Sequence, residues 1–243
     1  KWRTVVDSWL YRVQAAIWRP TCVLCKAEGM ARRDLCAPCE RDLVPNLYAC
    51  SVCAQPLVDG SAHPAVCGAC LLARPKFDAS FIPYRYAYPV DRLIQRFKYN
   101  GDLSVGRVLG ELFSERLYSE RRSRLPEVIV PVPLATGRYR TRGFNQAIEL
   151  AQTIAKSSGL ELQADIVERT RETQEQAGLP RKQRRRNVRG AFELVQRPQQ
   201  THVAILDDVV TTGSTVNEIA KVLRRAGVQT IEVWAVARAA RSA

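Results

Sequence analysis

The chain has 243 residues, of which 46% are hydrophobic and 25% charged, and it carries a formal net charge of +13 at pH 7 with an isoelectric point near 9.7. Its length allows one good core with a smaller module beside it, and its charge points to polyanionic partners, either a pyrophosphate-bearing ligand or nucleic acid. No apolar run approaches the ~20 residues that cross a bilayer, and the opening residues 1–7 lack the apolar core of a secretory signal, so the expected location is the cytoplasm, without a transmembrane segment.

The chain opens on Lys1 rather than Met, and a native start is expected upstream of it. Residues 2–18 place Trp2, Val5, Val6, Trp9, Leu10, Val13 and Ile17 on one stripe of a helix, with Arg3 and Arg12 among its polar positions. This segment, 1–20, reads as a packing helix. A helix lying on a membrane surface is the alternative.

All eight cysteines fall between residues 22 and 70, as four Cys-x-x-Cys pairs: Cys22/Cys25, Cys36/Cys39, Cys50/Cys53 and Cys67/Cys70. Two such pairs offer four thiolates to one tetrahedral zinc and leave no position for a water, so the pattern predicts two structural zinc sites in a double ribbon over 21–76. Nearest neighbours would join Cys22, Cys25, Cys36 and Cys39 around one ion and Cys50, Cys53, Cys67 and Cys70 around the other. A cross-braced pairing is equally compatible with the spacing, and disulfides are a further alternative. His63 lies between the last two pairs as a spare ligand or a loop residue. The module's charge is mixed, which suits a metal-stapled scaffold as well as direct contact with DNA.

From Phe81 the pattern alternates strand and helix, with a joint expected at 73–76 and a second domain over 77–243. Strands are expected at 81–87, 127–132, 203–207 and 231–236, and helices at 90–98, 104–122, 144–157 and 215–226. This alternation predicts an α/β fold with a mostly parallel sheet flanked by helices. The strand ending near Leu134 leads into Arg138, Arg140 and Arg142, and then residues 143–146, Gly-Phe-Asn-Gln, open a helix. Residues 168–192 are arginine-rich with weak periodicity and read as a mobile basic lid.

Residues 203–206 form an apolar strand, followed by Asp207, Asp208, Val209, Val210, Thr211, Thr212, Gly213, Ser214 and Thr215, and then a helical stripe. A loop at the carboxyl end of a strand is where open α/β sheets bind ligands. Gly213 permits a tight turn, and the hydroxyls of Thr211, Thr212, Ser214 and Thr215 with the amides opening the helix make a phosphate cradle. Two carboxylates beside an anion would repel it unless they face neutral hydroxyls. A vicinal diol a few atoms from a phosphate, the layout of ribose 5-phosphate, satisfies both halves. The competing reading is a plain strand-to-helix turn capped by Ser214. A Walker A loop and a dinucleotide fingerprint are excluded by the absence of the required Gly-Lys-Ser/Thr and glycine spacing.

At these residues the chain resembles the type I phosphoribosyltransferases. With the four cysteine pairs, Phe97 to Asp102, Arg142 to Gln146 and the Arg-Asn-Val-Arg-Gly-Ala-Phe stretch at 186–192, the resemblance narrows to the competence protein F family and covers nearly the whole chain. It implies a phosphoribosyl pyrophosphate site in which Asp207 and Asp208 hold the ribose hydroxyls and Thr211 to Thr215 bind the 5-phosphate. It also implies a role in natural transformation, with handling of incoming single-stranded DNA in the cytosol. Ala135, Thr136 and Gly137 depart from the His and Arg that many relatives place after Pro-Leu.

A transferase reading gives Arg138, Arg142, Arg186 and Arg189 to the departing pyrophosphate, together with magnesium. Two further readings need no turnover. In one, the chain is a nucleic-acid-binding competence factor that senses the ligand. In the other, its zinc module is an adaptor for an uptake helicase or another DNA-processing protein.

Overall fold

A computed structural model describes residues 20–31, 33–57, 65–120, 125–171 and 181–240. The striped segment 2–18, His63 and residues 172–180 of the arginine-rich stretch lie outside the described residues. The chain forms two compact units, 1–43 and 44–243. The joint expected at 73–76 falls inside the second.

In the first unit, α1 (Ala37–Arg41) starts directly after Cys36, with proline in its first turn, a position where a missing N–H costs nothing. Short antiparallel bridges join Thr21 to Glu28 and Met30 to Arg33. Among the described residues of this unit, Val23, Leu35 and Leu43 are buried apolar side chains, and Arg33 pairs with Glu40 at 3.1 Å.

In the second unit, α2 (Gly68–Leu72) carries Cys70. It precedes β1 (Ala79–Phe81), β2 (Tyr84–Arg85), α3 (Val90–Asn100), α4 (Leu103–Glu120) and β3 (Val128–Pro131). Then come α5 (Thr136–Arg142), α6 (Gln146–Ser158), β4 (Glu161–Leu162), β5 (Val167–Arg169) and α7 (Arg181–Val188). The unit ends with β6 (Phe192–Leu194), β7 (His202–Val210), α8 (Ser214–Arg225) and β8 (Thr230–Arg238). The main sheet runs β1-β8-β7-β3-β4, with β2 also on β8, and every pairing in it is parallel. β5 and β6 form a separate antiparallel pair.

The strands β3, β7 and β8 are nearly unbroken runs of Val, Ile, Leu and Ala, buried along most of their length, as parallel strands covered by helices require. The helices show the complementary stripe. In α8, Val216, Ile219, Ala220 and Leu223 are buried, the i, i+3, i+4, i+7 spacing of one face. A ring cluster of Phe81, Phe113 and Trp234 fills the space between α4 and β8, with centroids 5.2 and 5.5 Å apart.

The expected strands and helices are present, with two differences in extent and five added elements. The first strand is split at residues 82–83 into β1 and β2. β7 continues through the acidic pair to Val210, because its ladder with β8 persists from Asp207 opposite Ala235 to Val210 opposite Arg238. The additions are α5, β4, the β5–β6 pair and α7. The last of these replaces part of the expected lid with a helix whose Val188 is fully buried.

Candidate functional site

The eight thiols form two groups, Cys22/Cys25/Cys36/Cys39 and Cys50/Cys53/Cys67/Cys70, and within each the sulfurs lie within 4.8 Å of one another. This is the nearest-neighbour pairing, and it excludes the cross-braced one. All eight cysteines are free thiols, gathered in fours rather than bonded in pairs. Sulfur separations of 3.5 Å for Cys25–Cys36 and 3.6 Å for Cys53–Cys67 match the ~3.8 Å edge of a tetrahedron with zinc–sulfur bonds of about 2.3 Å. The donor set fits zinc closed on four sides.

Each group has one thiol already prepared for ionisation. Burial opposes it at Cys22, but backbone N–H groups of Cys25, Cys36 and Leu24 outweigh that and bring the thiol down to about 6. Cys50 falls to about 7 in the same way, against burial, through the amides of Cys67, Cys53 and Val52. Protein isolated under reducing, chelator-free conditions is expected to hold two zinc ions per chain by atomic emission. Replacing Cys22 and Cys25 by Ser should remove one and leave the other; a parent with less than one zinc would overturn the assignment.

The second group is built into the α/β unit. Asn46 donates from Nδ2 to the carbonyls of Ala54 at 3.0 Å and Ile82 at 3.2 Å. Ser80 on β1 donates to Val52 O at 2.7 Å. Arg238, at the end of β8 and 1% exposed, donates from Nε to Cys53 O at 2.9 Å. Its Nη1 serves the carbonyls of Val210 at 2.9 Å, Ala239 at 2.8 Å, and Thr211. One buried guanidinium therefore ties the cysteine knuckle to the base of the Thr211–Thr215 loop.

That loop leaves β7 at Val210 and enters α8 at Ser214. Gly213 (φ 75°) occupies the left-handed region just before the helix and, having no side chain, makes no side-chain cap to α8. Ser214 is thus the first helical residue, not the cap, and the helix opens with amides directed into the loop. Thr212 and Ser214 hydroxyls lie 2.9 Å apart, and Ser214 N donates to Thr212 Oγ1 at 3.3 Å.

The loop lines a cavity of about 400 Å³ with Asp207, Asp208, Lys98, Arg138, Arg142 and Arg169. Lys98 on α3 pairs with Asp208 at 2.9 Å. Burial works against the Lys98 charge, yet the Asp208 and Asp207 carboxylates hold its ammonium above the usual lysine value. Asp207 is pushed up to about 7, first by burial and then by the Asp208 charge, with Lys98 pulling the other way. On the far side, burial and the neighbouring Arg138 bring Arg169 down to about 10, opposed by Asp207. Two like charges pressed together beside an open cavity favour an anion between them.

The 142–146 stretch sets this wall. Gly143 (φ 78°) ends α5 in the left-handed region. Asn145 caps α6 by accepting from Ala147 N at 3.0 Å and donates to Val132 O at 3.1 Å, fixing the helix to the end of β3. Gln146 accepts from Arg142 Nη1 at 3.3 Å, and the Arg142 guanidinium lies 5.2 Å from the Tyr99 ring centroid. Phe144 packs on Phe97 at 5.5 Å, which joins the two motifs at 97–102 and 142–146 in space.

Of the residues singled out in the sequence, Asp207, Asp208, Thr211, Thr212, Gly213, Ser214, Thr215, Arg138 and Arg142 share this cavity. Arg189 does not; it lines a second cavity. Arg186 lines neither of the two. Arg186 lies within α7 and Arg189 directly follows it; the buried Val188 holds this segment against α8 rather than over the acidic pair. Lys98 and Arg169 have no local signature, although Lys98 sits within the Phe97–Asp102 motif.

Residues 13–71 match the double zinc ribbon domain family. Competence protein F of Haemophilus influenzae is 37% identical over 225 residues, 90% of this chain and 96% of its own length. The DNA utilization protein YhgH of Escherichia coli K12 is 37% identical over 175 residues, 71% of this chain and 77% of its own. Among solved structures, a phosphoribosyltransferase from Corynebacterium diphtheriae is similar with 17% identity, covering 61% of this chain and 82% of that one, at a TM-score of 0.37. A glutamine phosphoribosylpyrophosphate amidotransferase from B. subtilis shares 21% identity over 54% of this chain and 26% of its own, at 0.36. With a relative aligned over nine tenths of its length, the chain belongs to the competence protein F family: a double zinc ribbon followed by a mostly parallel α/β domain.

Proposed function

We propose that the first cavity binds phosphoribosyl pyrophosphate with magnesium, and that the protein acts in DNA utilisation or natural transformation by handling single-stranded DNA in the cytosol. One observation carries the ligand reading: an acidic pair, an uncapped helix start rich in hydroxyls, and a crowded cationic wall converge on a single cavity. Asp207 and Asp208 accept hydrogen bonds from the ribose hydroxyls. The Thr211–Thr215 hydroxyls and the first amides of α8 take the 5-phosphate. Arg138, Arg142 and Arg169 face the pyrophosphate.

Carboxylates with phosphate oxygens are the donor set magnesium prefers, and the Asp207–Asp208 pair fits it. When bound, magnesium neutralises part of the pyrophosphate charge. The chain's own contribution to transfer is positioning and electrostatic: the acidic pair fixes the sugar, and the arginines stabilise negative charge on the leaving pyrophosphate as an acceptor nucleophile takes the anomeric carbon. Ligand sensing without turnover is the second reading, because the same contacts hold the ligand whether or not an acceptor is present.

Phosphoribosyl pyrophosphate with magnesium is expected to raise the melting temperature by about 5–10 °C at a hundredfold excess over Kd. Replacing Asp207 and Asp208 together by Asn should abolish the shift, and an unchanged shift would remove the assignment. Pyrophosphate release across candidate acceptors, single-stranded DNA included, separates transferase from sensor.

A further inference from the structure

A second cavity, of about 550 Å³, opens at the far end of α8, where Lys76, Arg189, Lys221, Arg224 and Arg225 face the single carboxylate of Glu218. Two of the five cations are committed. Lys221 pairs with Glu218 at 2.6 Å. Arg224 pairs with Asp78 at 2.7 Å and donates to Val228 O at 3.1 Å. The side chains of Lys76, Arg189 and Arg225 make no hydrogen bond or ion pair among the described residues, and all three residues are exposed. Three positive charges therefore surround one concavity without local compensation.

The floor of this cavity includes Phe192, which is 4% exposed and covered on one side by Arg169, whose guanidinium lies 5.3 Å from the ring centroid. Arg169 itself lines the first cavity. Phe192 in the second cavity thus stacks against a residue of the first, and α8 joins the two cavities, its first turn belonging to the phosphate-type loop and its last turn to the basic one. At 1.5 Å per residue that helix spans about 18 Å.

We propose that the second cavity is a binding site for the phosphodiester backbone of single-stranded nucleic acid, separate from the ligand cavity. The inference rests on the reading of the protein as a handler of single strands and gives that strand a place. The three uncompensated cations match phosphates. Among the described residues that line it no aromatic face is open for stacking, because Phe192 is buried beneath Arg169, so contact is with the backbone and indifferent to sequence. A concave site takes a flexible strand and excludes the stiff convex surface of a duplex. Arg189 finds its role here, as a strand contact rather than a pyrophosphate contact.

The test uses full-length, zinc-loaded protein and fluorescence anisotropy with a labelled oligo-dT strand between 50 and 200 mM salt. Neutralising three phosphates contributes about 2 to the slope of log K against log salt, at about 0.7 per contact on a single strand. The variant Lys76→Ala/Arg189→Ala/Arg225→Ala should lose about 2 from that slope and at least tenfold in affinity at 50 mM salt. Its zinc content and its thermal response to phosphoribosyl pyrophosphate should be unchanged. A charge-matched control, Arg92→Ala/Lys156→Ala/Arg197→Ala, removes three exposed cations that line neither cavity and should retain strand binding; duplex of the same length should compete poorly. Equal losses in the two triple variants, or no loss in the first, would overturn the site while leaving strand handling intact. A parent protein that binds no strand at 50 mM salt would overturn both.

Discussion

Replacing Arg238 by Met is expected to lower the unfolding free energy of the zinc-loaded protein by about 3–5 kcal/mol, since several buried carbonyls lose their donor and each orphaned group costs about 1–3 kcal/mol. The guanidinium is buried and reaches Cys53 O, Val210 O, Thr211 O and Ala239 O from one planar fork. Met fills much of the same volume but donates nothing. Arg238→Lys keeps the charge without the fork, and should fall between the two. Denaturant melts measure the loss. Because the same side chain holds both the Cys53 knuckle and the start of the Thr211–Thr215 loop, two further changes should accompany it. A chelator should strip the second zinc sooner than in the parent, with the first zinc unaffected, and the response to phosphoribosyl pyrophosphate should weaken. A variant with parental stability would show that the knuckle and loop hold their places independently.

The reach of the sequence follows from how local each signal is. Cys-x-x-Cys spacing is a short-range constraint, and it named all eight ligands and their preferred grouping before any fold was known. It carries no information on what surrounds the ligands. The merging of the second group into the α/β unit depends on backbone carbonyls of Cys53 and Val52 received by Arg238 and Ser80, contacts that span 185 and 28 residues.

The same limit explains the acidic loop. Two aspartates after Leu206 look like the end of a strand, yet the ladder with β8 carries β7 on to Val210, a tertiary pairing that overrides a weak local preference. Lys98 reaches Asp208 from a helix 110 positions away, and Arg169 arrives from the β5–β6 pair; neither proximity leaves a trace in periodicity. The segment 181–188 misleads for a different reason. A helix whose sequence is polar from Arg181 to Asn187 and ends on Val188 has almost no stripe to read, so the placement of Arg189 in the second cavity became visible only in three dimensions.

Affinity for phosphoribosyl pyrophosphate with magnesium is expected to rise about tenfold per pH unit between pH 5 and 7 and then to level off, a gain of about a hundredfold over the window. The reason is Asp207, whose carboxyl is held up at about 7 by burial and the Asp208 charge, against Lys98. A sugar hydroxyl donating to Asp207, or a cation beside it, requires the ionised form. The phosphates of the ligand titrate as well, so the informative quantity is the ratio of parental affinity to that of Asp207→Asn, in which only the residue's own titration remains. A ratio flat from pH 5 to 8 would remove Asp207 from the contact.

The sign for the free protein is opposite. A carboxyl with a folded value near 7 and an ordinary unfolded value near 3.8 binds more protons when folded, so its contribution to stability is present at low pH and is lost as pH rises from about 4 to about 7. At pH 8 the ionised pair stands buried and mutually repelling. Asp207→Asn keeps the oxygen that accepts from Asp208 N at 2.9 Å and removes the charge. It should therefore raise the melting temperature of the unliganded protein at pH 8 by about 2–4 °C, the shift that 1 kcal/mol produces in a chain of this size, with the gain shrinking as pH falls below 7 and vanishing only below about pH 4. The substitution that weakens ligand binding would then stabilise the empty protein, a pairing expected of a residue kept for binding at the expense of packing. A destabilised Asp207→Asn variant at pH 8 would instead make this carboxylate part of the scaffold.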